Sequence, residues 1–409
     1  MRAVPASVHI NCKNPRTKIL GGNKFNKVCL RIRLTSKLQF RPYRYGDEEK
    51  ITDLLSLVFN GWPHIDTDLT PVEFWKWKYL ANPLHPSLVF VGVDGENVIS
   101  CHHYMVIKVK IMDQIVLGCT ALDFAVHPDY RGQRLSSKTS EPNDVKRQEA
   151  GIVFSYFITR NPILIKMYAS SKNLKFRKPR FPMDLVNLTR ISDIDHHFEN
   201  IPIKNQTIIK AGVKVLKYWN KMWNHPRRTD NLEITHVEYF EEDIDIFIET
   251  IQQEHDFMII RSAKYLNWKY AYPKLGDYRL FIIQEEERII GYSILRINKY
   301  NTAYPVGYIV ELITETGRND AVAKMVSNAI TYFDTNNVNI VNVQTVRGHS
   351  HVNIYEKYGF LDSRIKINLY TSQADEEVML EELSTVDPST IYISWGDHDA
   401  LPVGLDPHQ

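Results

Sequence analysis

Apolar and polar positions begin to alternate in a regular way at about Leu38, and the chain then divides into short strands and amphipathic helices. Phe40 to Tyr43 predicts a first strand, and Ile51, Leu54, Leu55, Val58 and Phe59 recur at helical spacing after Asp47. Phe74 to Tyr79 predicts a second helix. Asn82-Pro83 stops it, because the residue before a proline is pushed out of helical backbone. Leu88 to Val93, a turn at Asp94-Gly95 and Val98 to Ser100 read as a hairpin. A further strand pair follows over Val106 to Val116, turning near Asp113. Thr120 to Val126 is a strand that His127-Pro128 ends; a basic, glycine-containing turn leads into a helix reaching Ala150, and Pro142 predicts a kink in it or a later start. Ile152 to Phe157 is a buried-type strand, and Asn161-Pro162 opens another helical segment that contains Tyr168.

The pattern then repeats. Residues 191–231 form a connector with one amphipathic helix from Gln206 to Trp223, stopped by His225-Pro226. Beyond it, Trp268-Lys269-Tyr270 answers Trp77-Lys78-Tyr79, and the next hairpin keeps step: Val98 and Ile289 each follow their tryptophan by 21 residues. Glu311 in YIVELITE then corresponds to Asp123 in TALDFAVH. Agreement at three features argues for a tandem duplication. The division this predicts is a leader over 1–38, a first domain over 39–190, the connector, a second domain over 232–371, and an acidic tail over 372–409 whose aromatic end docks onto a domain.

Composition narrows the possibilities. With 44% hydrophobic and 24% charged residues and no apolar run of membrane-spanning length, the sequence reads as a globular protein without a membrane span, and cytoplasmic. Its four cysteines show no metal-binding spacing, so neither a structural zinc site nor a disulfide framework is expected. Nine Lys/Arg and no Asp/Glu fall within residues 1–40, leaving 41 basic against 48 acidic residues in the remainder. The leader reads as a disordered tail or a start assigned too far upstream; a transit peptide or nucleic-acid arm has similar composition. The acidic remainder speaks against a long nucleic-acid groove. Neither a Ser-His-Asp arrangement nor HExxH is present, which removes support for a hydrolase or metalloprotease.

The stretch Thr120 to Lys138 carries the chemistry. A strand running through a turn into a helix presents free backbone N–H groups and the positive end of the helix dipole, which suit a phosphate. Arg131 and Arg134 add charge, and Gly132 permits close backbone approach. The segment HPDYRG between strand and helix resembles the acyl-CoA signature of the GNAT acetyltransferase superfamily, whose turn reads Arg/Gln-x-x-Gly-x-Gly/Ala. Arg131 stands at its first position, but Arg134 and Ser136 replace the small residues expected there. The segment Tyr355 to Phe360 (YEKYGF) likewise resembles the family's Tyr-x-x-x-Gly-Phe motif.

The resemblance implies an α/β fold, with two tandem GNAT-like domains each built on a mixed central sheet flanked by helices. It also implies an acetyl-CoA-dependent N-acyltransferase acting on a small primary amine. Among such proteins the WKY segments look most like the tandem group tied to polysaccharide and cell-envelope synthesis, making an amino sugar or surface-glycan precursor the expected acceptor. The cofactor contacts it implies are Phe124, Ala125, Val126, Arg131, Gly132, Gln133, Arg134, Leu135 and Ser136, with Asn161 as a side-chain contact or simply a helix cap. No metal is expected. Asp123 is the candidate base, since a carboxylate in an apolar strand is expected to have a raised pKa, although a loop-bonded structural carboxylate fits the sequence equally. Tyr168 and Tyr355 compete as the acid for the leaving thiolate, against the alternative of packed aromatics. In the second half Asp320 is expected to repel a pyrophosphate. Trp75 and Trp77 read as a sugar-stacking wall or as core. Two rivals stay open, a FemAB-like transferase using aminoacyl-tRNA and a non-catalytic GNAT-fold binding protein; the sequence does not give the oligomeric state.

Overall fold

The computed structural model describes residues 38–84, 86–133, 135–162, 165–166, 184–192, 231–299, 304–365, 367–373 and 382–398. The leader, the connector helix, Arg134, Tyr168 and the acidic run Glu376, Glu377 and Glu381 lie outside them.

The first half opens with β1 (Gln39–Pro42), α1 (Glu48–Phe59) and α2 (Pro71–Leu80). Thr70 and Glu73 form a reciprocal capping box at the start of α2, with Pro71 in the first turn where its missing N–H costs nothing. Strands β2 (Leu88–Asp94), β3 (Asn97–Ile111) and β4 (Gln114–Val126) form a meander. Helix α3 (Leu135–Glu149) runs on through Pro142, so the expected late start is not seen. It is followed by β5 (Ile152–Thr159).

The second half repeats this order. Strand β7 (Leu232–Val237), helix α4 (Ile244–Gln253) and strand β8 (Phe257–Ile259) come first. A helical stretch over 263–271 carries the second WKY and leads to β9 (Tyr278–Glu285), β10 (Arg288–Asn298) and β11 (Val306–Thr314). Then come α5 (Asn319–Thr335), β12 (Ile340–Val346) and α6 (His351–Lys357). Helix α5 buries Val322, Met325, Val326, Ala329, Ile330 and Phe333, a stripe at helical spacing.

The two halves exchange their closing strands. β6 (Leu185–Ile191), which the sequence reading gives to the first domain, pairs antiparallel with β12 in the second sheet, where β13 (Leu361–Asp362) also joins it. β14 (Asn368–Gln373), read as closing the second domain, pairs antiparallel with β5 in the first sheet. The sheets therefore run β1-β2-β3-β4-β5-β14 and β13-β6-β12-β11-β10-β9-β7. Strand β8 adds to the end of β3, and β15 (Ile391–Tyr392) pairs with β8. One apolar cluster runs through both halves, from Trp75, Tyr79 and Phe154 to Tyr292, Tyr308 and Trp395. The described residues, from 38 onwards, form one compact unit.

The repeated tryptophans meet at the junction. Trp77 and Trp268 stack with ring centroids 5.2 Å apart. Each donates its indole N–H to the other's backbone carbonyl, at 3.0 and 3.2 Å. Nearby, Arg296 of β10 is fully buried, donating to the Leu275 carbonyl and pairing with Asp66 from the loop between α1 and α2.

Candidate active site

Strands β4 and β5 are in parallel register only from Leu117 to Thr120, although both run on beyond that point. Past Tyr156, β5 stays with β14 while β4 stays with β3, and a slot opens between them. At the mouth of the slot the pairing of β3 and β4 is broken. Cys101 faces Ala125 and His103 faces Leu122, so Asp123 and Phe124 together oppose the single residue His102. This is a β-bulge, which bends the strand and re-aims its backbone. Asp123 adopts φ +39°, a left-handed conformation that a side chain disfavours.

Asp123 is gripped at both ends. Its carboxylate accepts from Lys78 Nζ at 2.8 Å, from Trp62 Nε1 at 3.0 Å and from the Tyr79 hydroxyl. Its carbonyl accepts from His103 Nδ1 at 3.1 Å and from Cys101 Sγ at 3.7 Å. Burial alone pushes the carboxyl up, but Lys78 and the Tyr79 hydrogen bond outweigh it and hold it below the usual carboxylate range. The expected rise in the pKa of Asp123 is thus reversed, because two donors come from the WKY segment far away in sequence. His103 is displaced to about 4, chiefly by burial.

Below the slot, β4 ends at Val126, and the His127 ring accepts from the Asp129 N–H at 3.3 Å to start a short turn over Pro128–Tyr130. Arg131, Gly132 and Gln133 follow, all exposed, and α3 begins at the buried Leu135. Gly132 sits at φ +80° with nothing within 4 Å of where a Cβ would stand, so the turn needs its backbone freedom and leaves the space over it open. Among the described residues no hydrogen bond or ion pair engages the Arg131 side chain.

The second half has the same parts, but they are filled. Strands β11 and β12 pair in parallel from Val306 to Ile309 and then part. The C-terminal segment occupies the gap: the Leu312 N–H, one residue past Glu311, donates to the Tyr392 hydroxyl at 3.2 Å, and His398 bonds Gln344 of β12. A Cβ on Gly396 would stand 2.2 Å from Glu311 Oε1, so the segment packs against Glu311 with no room to spare. Glu311 itself is buried and accepts from Tyr270 at 2.5 Å, Tyr292 at 2.9 Å and Arg261 at 2.7 Å; Arg261 also pairs with Asp397. The turn before α5 is likewise engaged. Its Thr316 N–H donates to Glu254 at 2.8 Å, and Arg318 is held by Glu285 and Asp320 at 2.9 and 3.0 Å. Four carboxylates, Glu254, Glu285, Glu315 and Asp320, lie around this turn, three of them paired with Arg288 or Arg318.

No family model matches this sequence, and no curated protein matches it. Solved structures do. A conserved Enterococcus faecalis protein of unknown function, a probable N-acyltransferase, superposes with a TM-score of 0.57 at 14% identity, covering 84% of this chain and 73% of its own. A GCN5-related N-acetyltransferase from Anabaena variabilis gives 0.55 at 12% identity, covering 82% and 72%. A Saccharomyces cerevisiae N-myristoyltransferase bound to myristoyl-CoA and inhibitors gives 0.57 at 11% identity, covering 88% and 87%. The chain has a tandem GNAT fold. At these identities the likeness concerns the fold, and the polysaccharide-associated type is not distinguished by it.

Within this GNAT fold the residues expected from sequence separate into two groups. Asp123, Phe124, Ala125 and Val126 lie on the slot edge, with Phe124 exposed and Ala125 buried, and Arg131, Gly132, Gln133 and Leu135 form the turn beneath it. Asn161 is exposed just beyond the end of β5. Arg134, the Ser136 side chain and Tyr168 fall outside the described residues. Tyr355 belongs to the other half. It is buried, its phenol is pushed up by burial, and it lines the small space between β11 and β12 with His351, Gln344 and Tyr392. Trp75 is core rather than a sugar wall, and Trp77 is taken up by Trp268.

Lys78, Tyr79, His103 and Trp62 all hydrogen-bond Asp123 without having stood out in the sequence, where only the repeated WKY pointed towards two of them. At the junction of the halves a cavity of about 50 Å³ is lined by Phe74, Lys78 and Leu122 from the first half and by Trp268, Val310 and Trp395 from the second half and C-terminal segment, among others. Among the described residues no cluster of His, Cys, Asp or Glu suits a metal ion, and no helix is long and apolar enough to cross a membrane.

Proposed function

We propose that this chain is an acyl-CoA-dependent N-acyltransferase with one donor site, in the first half. The observation that carries the reading is the contrast between two equivalent slots. In the second, Leu312 N–H is taken by the Tyr392 hydroxyl and the turn by carboxylates. In the first, the bulge and the Arg131 turn have no such occupant among the described residues. By the repeat, Phe124 N–H corresponds to Leu312 N–H, so an oxygen acceptor belongs on it: the carbonyl of a thioester. That N–H would stabilise the oxyanion as it forms, while Arg131, the open turn over Gly132 and the α3 N-terminus hold the pyrophosphate.

Acetyl-CoA is the donor in this proposal. A small cavity at the junction of the halves, reached from the slot side through Lys78 and Leu122, is compatible with a short acyl group. The acceptor is a small primary amine, such as an amino sugar or glycan precursor, entering between the halves. Asp123, held low, is a weak proton acceptor, so its part is to stay ionised and fix Lys78 and Tyr79 at the slot. Tyr355 serves the closed half, which leaves Tyr168 to protonate the leaving thiolate. The domain division expected from sequence, with β6 and β14 exchanged between the sheets, and a cytoplasmic location are part of the same proposal.

The test is transfer from radiolabelled acetyl-CoA to a panel of small amines, with thiol release followed in parallel. Amine-dependent release is expected. Transfer from aminoacyl-tRNA with none from acetyl-CoA would replace this reading with the tRNA-dependent one.

A further inference from the structure

Among the described residues, Asp123 is the one inside a strand with positive φ. A strained residue at a sheet centre persists only where its surroundings over-determine it. The surroundings here are specific. The Asp123 carbonyl receives His103 Nδ1, and His103 Nε2 faces the indole N–H of Trp75 at 2.9 Å. An indole N–H can only donate and a carbonyl can only accept, so His103 carries its single proton on Nδ1 and is neutral. Tyr79 stacks on the imidazole with centroids 4.2 Å apart, and Trp75, Tyr79 and His103 are all fully buried.

The second half supplies an internal control. Applying the 191-residue spacing of the paired tryptophans, His103 corresponds to Ile294 and Trp75 to Leu266. Neither of these can hydrogen-bond through its side chain. There the irregularity sits at Val310, Glu311 stays in register opposite Ile294, and Glu311 is not in left-handed backbone. Packing alone is therefore met by an aliphatic pair. A buried indole–imidazole–carbonyl chain is needed only where the bulge must hold its unusual shape.

We propose that His103, oriented by Trp75, is a positioning residue that locks Asp123 in its left-handed conformation and thereby fixes where in the slot the Phe124 N–H stands relative to the thioester oxygen. The inference rests on the first-half slot being the acyl-CoA site. It does not need the acceptor to be known.

Two measurements test it. ¹⁵N NMR of the histidine rings reads the tautomer directly: His103 is expected neutral and protonated at Nδ1 around neutral pH, and an Nε2-protonated ring would overturn the inference. Isotope-edited infrared spectroscopy of bound [1-¹³C]acetyl-CoA reads the hydrogen bond on the carbonyl, which a merely structural role for His103 would leave alone. The wild type should lower the carbonyl frequency relative to free acetyl-CoA. His103→Leu should bind CoA within about two-fold of the wild type, since the pyrophosphate turn is untouched, yet lose most of that lowering. His103→Asn, which keeps an N–H near Nδ1, should retain it. Should His103→Leu fail to fold, Trp75→Phe keeps the imidazole but frees its tautomer, and is expected to weaken the shift. A full shift in His103→Leu, or in Trp75→Phe where that variant stands in, sinks the inference while leaving the donor site in place. Absence of acetyl-CoA binding to the wild type instead removes the functional reading, and this inference with it.

Discussion

Replacing Asp123 by Asn separates a buried counter-ion from a catalytic base. The Lys78 and Asp123 side chains are 7% and 8% exposed and 2.8 Å apart. Neutralising one partner leaves an ammonium in a site built for a pair, and breaking a buried pair in this way costs about 3–5 kcal/mol. With a urea m-value of about 3 kcal/mol/M or more at this size, the unfolding midpoint should fall by about 1 M. The double variant Lys78→Met/Asp123→Asn should recover much of that, because no uncompensated charge remains. The sign of the pH dependence follows from the depressed folded pKa. The contribution of Asp123 is fully present above the unfolded carboxylate value and is lost as pH falls through the lower folded one. Equilibrium urea unfolding of the three proteins at neutral pH decides the matter. A cost below about 1 kcal/mol for Asp123→Asn would mean a solvated carboxylate, as in surface pairs, and would return Asp123 to candidacy as the base.

Further outcomes follow from the same geometry. Trp77→Ala should cost about 3–5 kcal/mol, since it removes both the stack on Trp268 and one of the reciprocal hydrogen bonds; differential scanning calorimetry would show it. Half-buried His102 and buried His103 and His349 are displaced to about 3, 4 and 4, chiefly by desolvation, so they stay neutral in the fold where the unfolded chain takes up protons. Stability should therefore be full above about pH 6.5 and fall on acidification towards pH 4, by about 1.4 kcal/mol per pH unit for each histidine at most, as read by urea midpoints at several pH values. Arg318→Glu in the second half should leave acetyl-CoA affinity unchanged in a binding titration, because its guanidinium already belongs to Glu285 and Asp320.

Local order was legible because it is written locally. The helical spacing of Ile51, Leu54 and Leu55, the Asn82-Pro83 stop and the buried-type Ile152–Phe157 run each became the element expected. The correspondence of Asp123 with Glu311 was also legible, from an acid in the same apolar strand context (TALDFAVH and YIVELITE), although it follows its tryptophan by 46 residues in one half and 43 in the other. The exchange of β6 and β14 was not: an apolar strand carries the same pattern in either sheet, and only three-dimensional closure chooses between them. The protonation of Asp123 was misread for a related reason. Its partners Lys78 and Tyr79 lie 45 and 44 residues away, so strand context reported the burial and not the donors that outweigh it. Likewise the aromatic end of the chain signalled docking, but nothing in Ile391 to His398 indicated that it would fill the second slot.

On the proposed reading the chain has one acyl-CoA site, held at Arg131. Isothermal titration of acetyl-CoA into the wild type and into Arg131→Glu tests it most directly. One site per chain is expected in the wild type, weakened about 10- to 100-fold in the variant by loss of a charge-assisted contact and addition of a repulsive charge. Two sites per chain, equal affinity in the variant, or no binding to the wild type at millimolar ligand would contradict it.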